Sequence, residues 1–154
     1  MEKQKLKAVY GMLSEKQLRR YYQEAFRVKE PTAHHLLRLL ECRLDVIVYK
    51  LGFASTIFGA HQLVAHGHIH VNGKKVDRRS FQVQPGMIIS VREKSKNMKA
   101  VKQSLELNRT VPEYLSCDTA KMSGQLMALP DAEQISFPLE INVPVVCEFL
   151  AHTT

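Results

Sequence analysis

The sequence predicts an α+β protein: a helical N-terminal part, then a small helix-helix-antiparallel-sheet domain, then a short β-rich tail. Three observations carry this. Apolar residues recur at spacings of three and four through most of residues 1–66. After Gly67 the period drops to two. Asn72-Gly73 and Pro85-Gly86 then separate short alternating runs, as turn dipeptides do. The expected divisions are a helical segment over 1–40, a domain with its following helix over 41–110, and an acidic β-rich extension over 111–154 that packs back on the body.

Taken in order, "EKQKLKAVYGMLSEKQLRRYYQEAFRVKE" reads as two short helices broken near Gly11, with Ser14 capping the second. Leu18, Tyr21, Tyr22 and Phe26 are expected inward, and Lys16, Arg19, Arg20 and Lys29 outward. "HHLLRLLECRLDVIVYKLG" is the clearest helix, its stripe made by Leu37, Leu40, Leu44, Ile47, Val48 and Leu51, with Gly52 as a left-handed end. "STIFGAHQLVAHG" is a shorter helix capped by Ser55 or Thr56 and ended by Gly67, with Ala60, Leu63 and Val64 facing the core. Ile69 and Val71 alternate with His68 and His70 up to the Asn72-Gly73 turn. "SFQV" and "MIISVRE" supply further strand, and "SKNMKAVKQSLELN" one more helix with Met98, Val101 and Leu105 inward. Four prolines argue against long helices after residue 110, so "YLSCD", "QLMAL", "LEIN" and "VVCEFL" read as strands.

Composition narrows the function classes. The net charge of +7 is unevenly placed: residues 1–110 carry 21 Lys and Arg against 9 Asp and Glu (+12), and residues 111–154 carry one against 6 (−5). A basic body of this kind attracts polyanions. No amphipathic basic helix suited to a membrane surface stands out, and the longest apolar runs fall far short of the about 20 residues needed to span one. Cys42, Cys117 and Cys147 form no CxxC pair, which fits reduced thiols in a cytoplasmic chain. Nucleic acid is the favoured partner.

Each candidate site has a plainer reading beside it. His61, His66, His68 and His70 lie close in sequence, yet a zinc shell would have to be assembled across different elements without a nearby cysteine or carboxylate. No metal or other cofactor is expected. No GxSxG, Walker-type loop or HExxH is present, and a lone Asp45 beside Arg43 reads as an ion pair rather than a general base. No enzyme is expected. The candidate nucleic-acid residues are Arg43 and Lys50 on the first domain helix; Thr56, His61, Gln62 and His66 on the second; Lys74, Lys75, Arg78, Arg79 and Ser80 around the hairpin; and Arg92, Lys94 and Lys96 after the last strand. Each alone could be a solvated residue. Together they are expected to make one positive surface that neutralises phosphates and releases counterions, with hydroxyl and amide side chains reading folded RNA by shape.

On these residues, "RLDVIVYKLGFASTIFGAHQLVAHGHIHVNGKKV" with "FQVQPGMIISVRE" closely resembles the S-four RNA-binding domain. The preceding "EKQKLKAVYGMLSEKQLRRYYQEA" and the following "SLELN…PEYLSCDTAKMSGQL" and "LEINVPVVCEFL" resemble the flanks of that domain in the bacterial small-subunit ribosomal protein S-four family. The resemblance implies a primary binder of small-subunit rRNA that nucleates assembly of the subunit body. It further implies contact with ribosomal protein S-five and other small-subunit proteins, at a surface tied to translational accuracy, with mRNA as a further candidate partner.

Three departures accompany it. Family members usually begin with a further segment, basic or cysteine-bearing and with a PGQHG-like stretch; its absence reads as a truncated or naturally short form and removes the family's zinc option. Arg is usual at the positions of Ile57 and His61, so phosphate contacts are expected to weaken and to become partly pH-dependent through an exposed His61. Val46 stands where Asn is usual. A free RNA-binding translational regulator or short paralogue is the alternative. An RNA-modifying enzyme is disfavoured because the acidic tail is too short for a catalytic domain.

Overall fold

The structure, a computed structural model, describes residues 2–11, 13–135 and 142–153. Backbone proximity divides the chain into two units, Met1–Glu41 with Asp131–Thr154, and Cys42–Pro130.

In the first unit, α1 (Glu2–Val9) and α2 (Glu15–Phe26) are separated by Gly11 in the left-handed region (φ +84°). Ser14 Oγ accepts from the Gln17 N–H (3.1 Å) and Gln17 Oε1 accepts from the Ser14 N–H (3.0 Å), a reciprocal cap that starts α2 where the sequence predicts it. Glu15 receives Lys3 (2.7 Å) and Lys7 (3.0 Å), tying the two helices together. Leu18, Tyr22 and Ala25 take the buried face of α2, so Phe26, one step further round, is 67% exposed rather than inward. In α3 (Thr32–Glu41), Leu36, Leu37, Leu39 and Leu40 are buried, and Glu41 is sealed inside, accepting the Tyr10 hydroxyl at 2.6 Å.

The segment "VVCEFL" is helical, not a strand: it lies in α7 (Val143–Thr153), after a 3₁₀ turn at Ala132–Gln134. Val143, Val146 and Leu150 are buried at helical spacing. Pro144 falls in the first turn, where its missing N–H is not needed. Asn142 Oδ1 caps the Val145 N–H (3.2 Å). Of the other expected tail strand, "LEIN" at 139–142, all but Asn142 lies outside the described residues.

The second unit begins with a break in what reads as one helix. Arg43 is extended (φ −65°, ψ 140°) and pairs with Gln82 in an isolated antiparallel bridge. The Val83 N–H donates to the Cys42 carbonyl (2.8 Å), and the Leu44 and Asp45 N–H groups donate to the Phe81 (2.9 Å) and Arg79 (3.2 Å) carbonyls. This clasp separates α3 from α4 (Leu44–Lys50) and occupies the "SFQV" segment, which therefore adds no strand to the sheet.

α4 and α5 (Ile57–Ala65) cover one face of a five-stranded antiparallel sheet of order β2-β1-β3-β5-β4, built from Ile69–Val71 (β1), Lys74–Lys75 (β2), Ile88–Val91 (β3), Leu115–Asp118 (β4) and Ser123–Leu126 (β5). Ile69, Val71, Ile89, Val91, Leu115 and Leu126 point to the helices and are buried with Leu44, Ile47, Val48, Leu51, Ala60, Leu63 and Val64. Gly124 lets Leu51 approach: a Cβ there would stand 2.5 Å from Leu51 Cδ2 and 2.9 Å from the Ser116 carbonyl oxygen. Asn72 (φ +51°) and Gly73 (φ +81°) make the two-residue turn between β1 and β2. α6 (Lys99–Glu106) buries Val101 and anchors through Ser104 Oγ, which donates to the Gly52 carbonyl (2.6 Å). Among the described residues, no helix is long and apolar enough to cross a membrane.

Candidate nucleic-acid interface

Thr56 is extended, and its hydroxyl oxygen accepts from the Gly59 N–H (2.9 Å), which starts α5 and leaves the O–H free to donate outward. The apolar stripe of Ala60, Leu63 and Val64 turns Gln62 and His66 to the surface. The Asn72-Gly73 turn sets Lys74 and Lys75 on the exposed edge strand. Lys75 runs back over Gly67, where its Cδ lies 3.1 Å from the position a Cβ would take. Arg78, Arg79 and Ser80 are exposed on the following loop, Lys50 and Arg92 are half-buried, and Lys94 is exposed. Lys96 is half-buried with its ammonium on Glu93 (2.7 Å).

Two expected RNA-facing residues are corrected. Arg43 is 3% exposed; its Nε and a terminal nitrogen donate to the two oxygens of Asp45 at 3.2 and 3.1 Å. His61 is 9% exposed, not outward, because α5 turns it against α4, with Nε2 2.9 Å from Asp45 Oδ2. That approach is a close polar contact off the line of a good hydrogen bond, since Nε2 has no aligned hydrogen-bond partner. The fully buried Asp45 carboxylate also accepts its neighbour Val46 N–H (2.8 Å). A buried carboxylate needs such partners, so Arg43 and His61 serve the interior and do not present charge to a polyanion.

Five of the remaining candidates fall along two lines: Gln62, His66 and Arg92 on one, Arg78 and Arg79 on the other. On one, Gln62, His66 and His68 line a cleft of about 230 Å³ with Phe53, Leu63 and Met98. The Arg92 N–H donates to the His68 carbonyl there (2.8 Å). His68 Nδ1 is paired with Ser95 Oγ (2.7 Å), and burial, then the charges of Arg92 and His66, hold the imidazole below its ordinary range. On the other line, the loop carrying Arg78 and Arg79 is fastened by the Arg79 carbonyl to the Asp45 N–H, beside His61.

Sequence reasoning passed over two residues. Phe58, on α5, is 58% exposed, with its ring 5.8 Å from the His61 ring at 75°; its place outside the Ala60-Leu63-Val64 stripe was the available signal. Arg109 is a basic residue turned inward: it donates to the Tyr49 (3.1 Å) and Ala54 carbonyls and lies 4.5 Å over the Tyr49 ring. No group of three or more His, Cys, Asp or Glu among the described residues is placed to hold a metal ion.

Comparison with known proteins bears on this arrangement. The S4 domain family model matches residues 42–89, and that of the ribosomal protein S4/S9 N-terminal domain matches residues 1–41, so the two meet where the chain passes between its units. The chain is 61% identical over 154 residues to the small ribosomal subunit protein uS4 of Protochlamydia amoebophila (strain UWE25), covering 99% of this chain and 75% of that one. It is 55% identical over 157 residues to the protein of the same name in Chlamydia trachomatis serovar L2, and 52% identical over 157 residues to that of Chlamydia pneumoniae, with the same coverage in both cases.

Proposed function

The chain belongs to the uS4 family of small ribosomal subunit proteins and is a structural constituent of that subunit in the cytoplasmic ribosome, and on that premise we propose that it binds small-subunit rRNA directly through the basic surface of its second unit. The observation that supports this is the set of exposed cations on short, firmly held elements: Lys74 and Lys75 on β2, Arg78 and Arg79 on the loop clasped to α4, and Lys94 after β3. Residues 42–130 carry 13 Lys and Arg against 6 Asp and Glu, although Arg43 and Arg109 are engaged internally. Each phosphate neutralised releases counterions, giving a salt slope of about 0.7 to 0.9 per phosphate. Thr56, Gln62 and Ser80 add donors for phosphate and 2′-hydroxyl oxygens, which recognise folded RNA by shape.

The role is structural rather than catalytic, a reading supported by the engagement of the buried carboxylate Asp45 with Arg43 and His61. Early binding to rRNA would make the protein a nucleus for assembly of the subunit body. The acidic residues 111–154, with Glu113, Asp118, Asp131, Glu133 and Glu148 exposed, suit protein neighbours better than RNA. Ribosomal protein S-five is the proposed neighbour, with a consequent influence on translational accuracy, and mRNA a further partner.

The test is binding of the full chain to a small-subunit rRNA transcript and to a DNA duplex of matched length at about 150 mM salt, where screening is substantial. Preference for the rRNA, and co-sedimentation with small subunits, is the expected result. Equal affinity for the two would refute the proposal.

A further inference from the structure

The exposed ring of Phe58 is not accounted for by the fold. Leaving an aromatic side chain 58% exposed forgoes much of the free energy its burial would supply. The ring is nonetheless held in place. It packs edge-to-face on His61, which is itself set against Asp45 at 2.9 Å, so part of its rotational freedom is already restricted before any partner arrives.

Its neighbours on α5 are polar. Gln62, one helical turn on from Phe58, is exposed, as is Thr56 at the start of the helix. From His61 contacts continue through the buried Asp45, whose N–H donates to the Arg79 carbonyl, so the loop bearing the exposed Arg78 and Arg79 is joined to the same helix pair as the ring. A protein-docking patch is built from contiguous apolar area. A single ring among cations and hydrogen-bond donors suits a nucleotide instead, whose base offers an apolar π-face, whose edge offers donors and acceptors, and whose flanking phosphates are anionic.

We propose that Phe58 is a stacking platform for one unpaired nucleobase of the bound RNA, with Gln62 at the base edge and Arg78 and Arg79 taking the flanking phosphates. The proposal rests on the rRNA-binding reading above and specifies what part of the RNA that face takes: a looped-out or single-stranded base rather than a paired helix.

The test uses the full chain, its Phe58→Ala and Phe58→Tyr variants, and two probes: a bacterial small-subunit rRNA transcript and a fully paired RNA duplex. Phe58→Ala is expected to weaken rRNA binding by about 5- to 150-fold, the range of one base stacked on an aromatic ring, and Phe58→Tyr to stay within about twofold because the π-face is kept. The slope of log affinity against log salt should not move, since no charge is removed. On the paired duplex, Phe58→Ala should bind like the parent protein. Unchanged rRNA affinity in Phe58→Ala overturns the proposal and leaves the ring as a docking point for protein. An equal loss on the paired duplex also overturns it, because the ring would then act through the fold. A parent chain that does not prefer rRNA to duplex DNA instead fails the rRNA-binding reading itself, a result distinct from either.

Discussion

His61 Nε2 stands 2.9 Å from Oδ2 of Asp45, a carboxylate with no solvent exposure that is held on its other side by Arg43. The pair joins α5 to α4 beneath the surface, so the side chain at position 61 acts on stability before it acts on any ligand. His61→Ala is expected to cost about 1–3 kcal/mol, the usual loss when a buried polar group is deprived of a partner. Its rRNA affinity, measured on folded protein, should fall less than that of Phe58→Ala, because the ring at position 58 stays and loses only its edge-to-face neighbour. A large affinity loss with an unchanged melting temperature would contradict this placement.

Asp45→Asn keeps the shape and removes the charge. Arg43 then loses the charge of the carboxylate it is paired with inside the protein, and breaking a buried ion pair typically costs about 3–5 kcal/mol. Denaturant melts of the parent and variant check this, and a shift below about 1 kcal/mol would mean that the guanidinium finds water.

Arg78→Ala and Arg79→Ala should behave in the opposite way. Both side chains are exposed, so the melts should stay within about 0.5 kcal/mol. Each substitution that removes a phosphate-neutralising cation should lower the salt slope of rRNA binding by about one. Arg43→Ala, by contrast, should shift the melt and leave the slope unchanged in whatever protein remains folded.

His68 makes stability depend on pH. Burial, with Arg92 and His66 nearby, lowers its folded-state pKa below the ordinary value of 6.5. Between those two values the unfolded chain binds more protons than the folded one, so stability rises with pH. The contribution is complete above 6.5 and is lost as pH falls through the folded-state value. Melting temperatures measured between pH 5 and 8, a span about one and a half units either side of the ordinary histidine value, should climb with pH. His68→Gln should flatten that climb, whereas an equal slope in the variant would assign it to other groups.

Gly124→Ala tests the closest approach of helix and sheet. The added methyl would meet Leu51 at 2.5 Å and the Ser116 carbonyl oxygen at 2.9 Å, and the carbonyl belongs to the backbone of a paired strand. Overpacking of this kind costs about 1–3 kcal/mol, and in a double-mutant cycle the same glycine substitution should cost less when made in a Leu51→Ala background.

The parts of this architecture that were legible in the sequence are those decided within a few residues. Ser14 with Gln17 and Thr56 with Gly59 mark helix starts by their own hydrogen bonds. Asn72-Gly73 adopts positive φ at both positions, and the alternation of Ile89 and Val91 with Ile88 and Ser90 shows which way β3 faces. What was not legible depends on partners far along the chain. The helix expected through Cys42 and Arg43 is broken by hydrogen bonds to the loop at 79–83, which no local pattern around Arg43 announces. His61 goes inward because Asp45 draws it there, whereas neighbour spacing alone pointed it out. The Arg43–Asp45 pair, two positions apart, was readable; its burial, which removes Arg43 from the surface, was not. In α7 a short apolar run with a proline fits either period, and only the burial of Val143, Val146 and Leu150 decides for the helix.

The order of strands has a consequence for where this chain can be cut. β3 lies between β1 and β5, and β5 and β4 come from residues 115–126, beyond the end of the S4 domain match at residue 89. A fragment ending at 89 would sever β3 within itself and strip away the partners that Ile88 and Ile89 have in Gln125 and Gly124. An interior strand would become a raw edge with unpaired amides and carbonyls beside the already exposed Ile88, the kind of template on which chains add to one another and aggregate. Carrying the polypeptide on to residue 130 keeps that edge closed, so the smallest piece of this unit that stays monomeric is set by β-pairing rather than by the length of the recognisable motif.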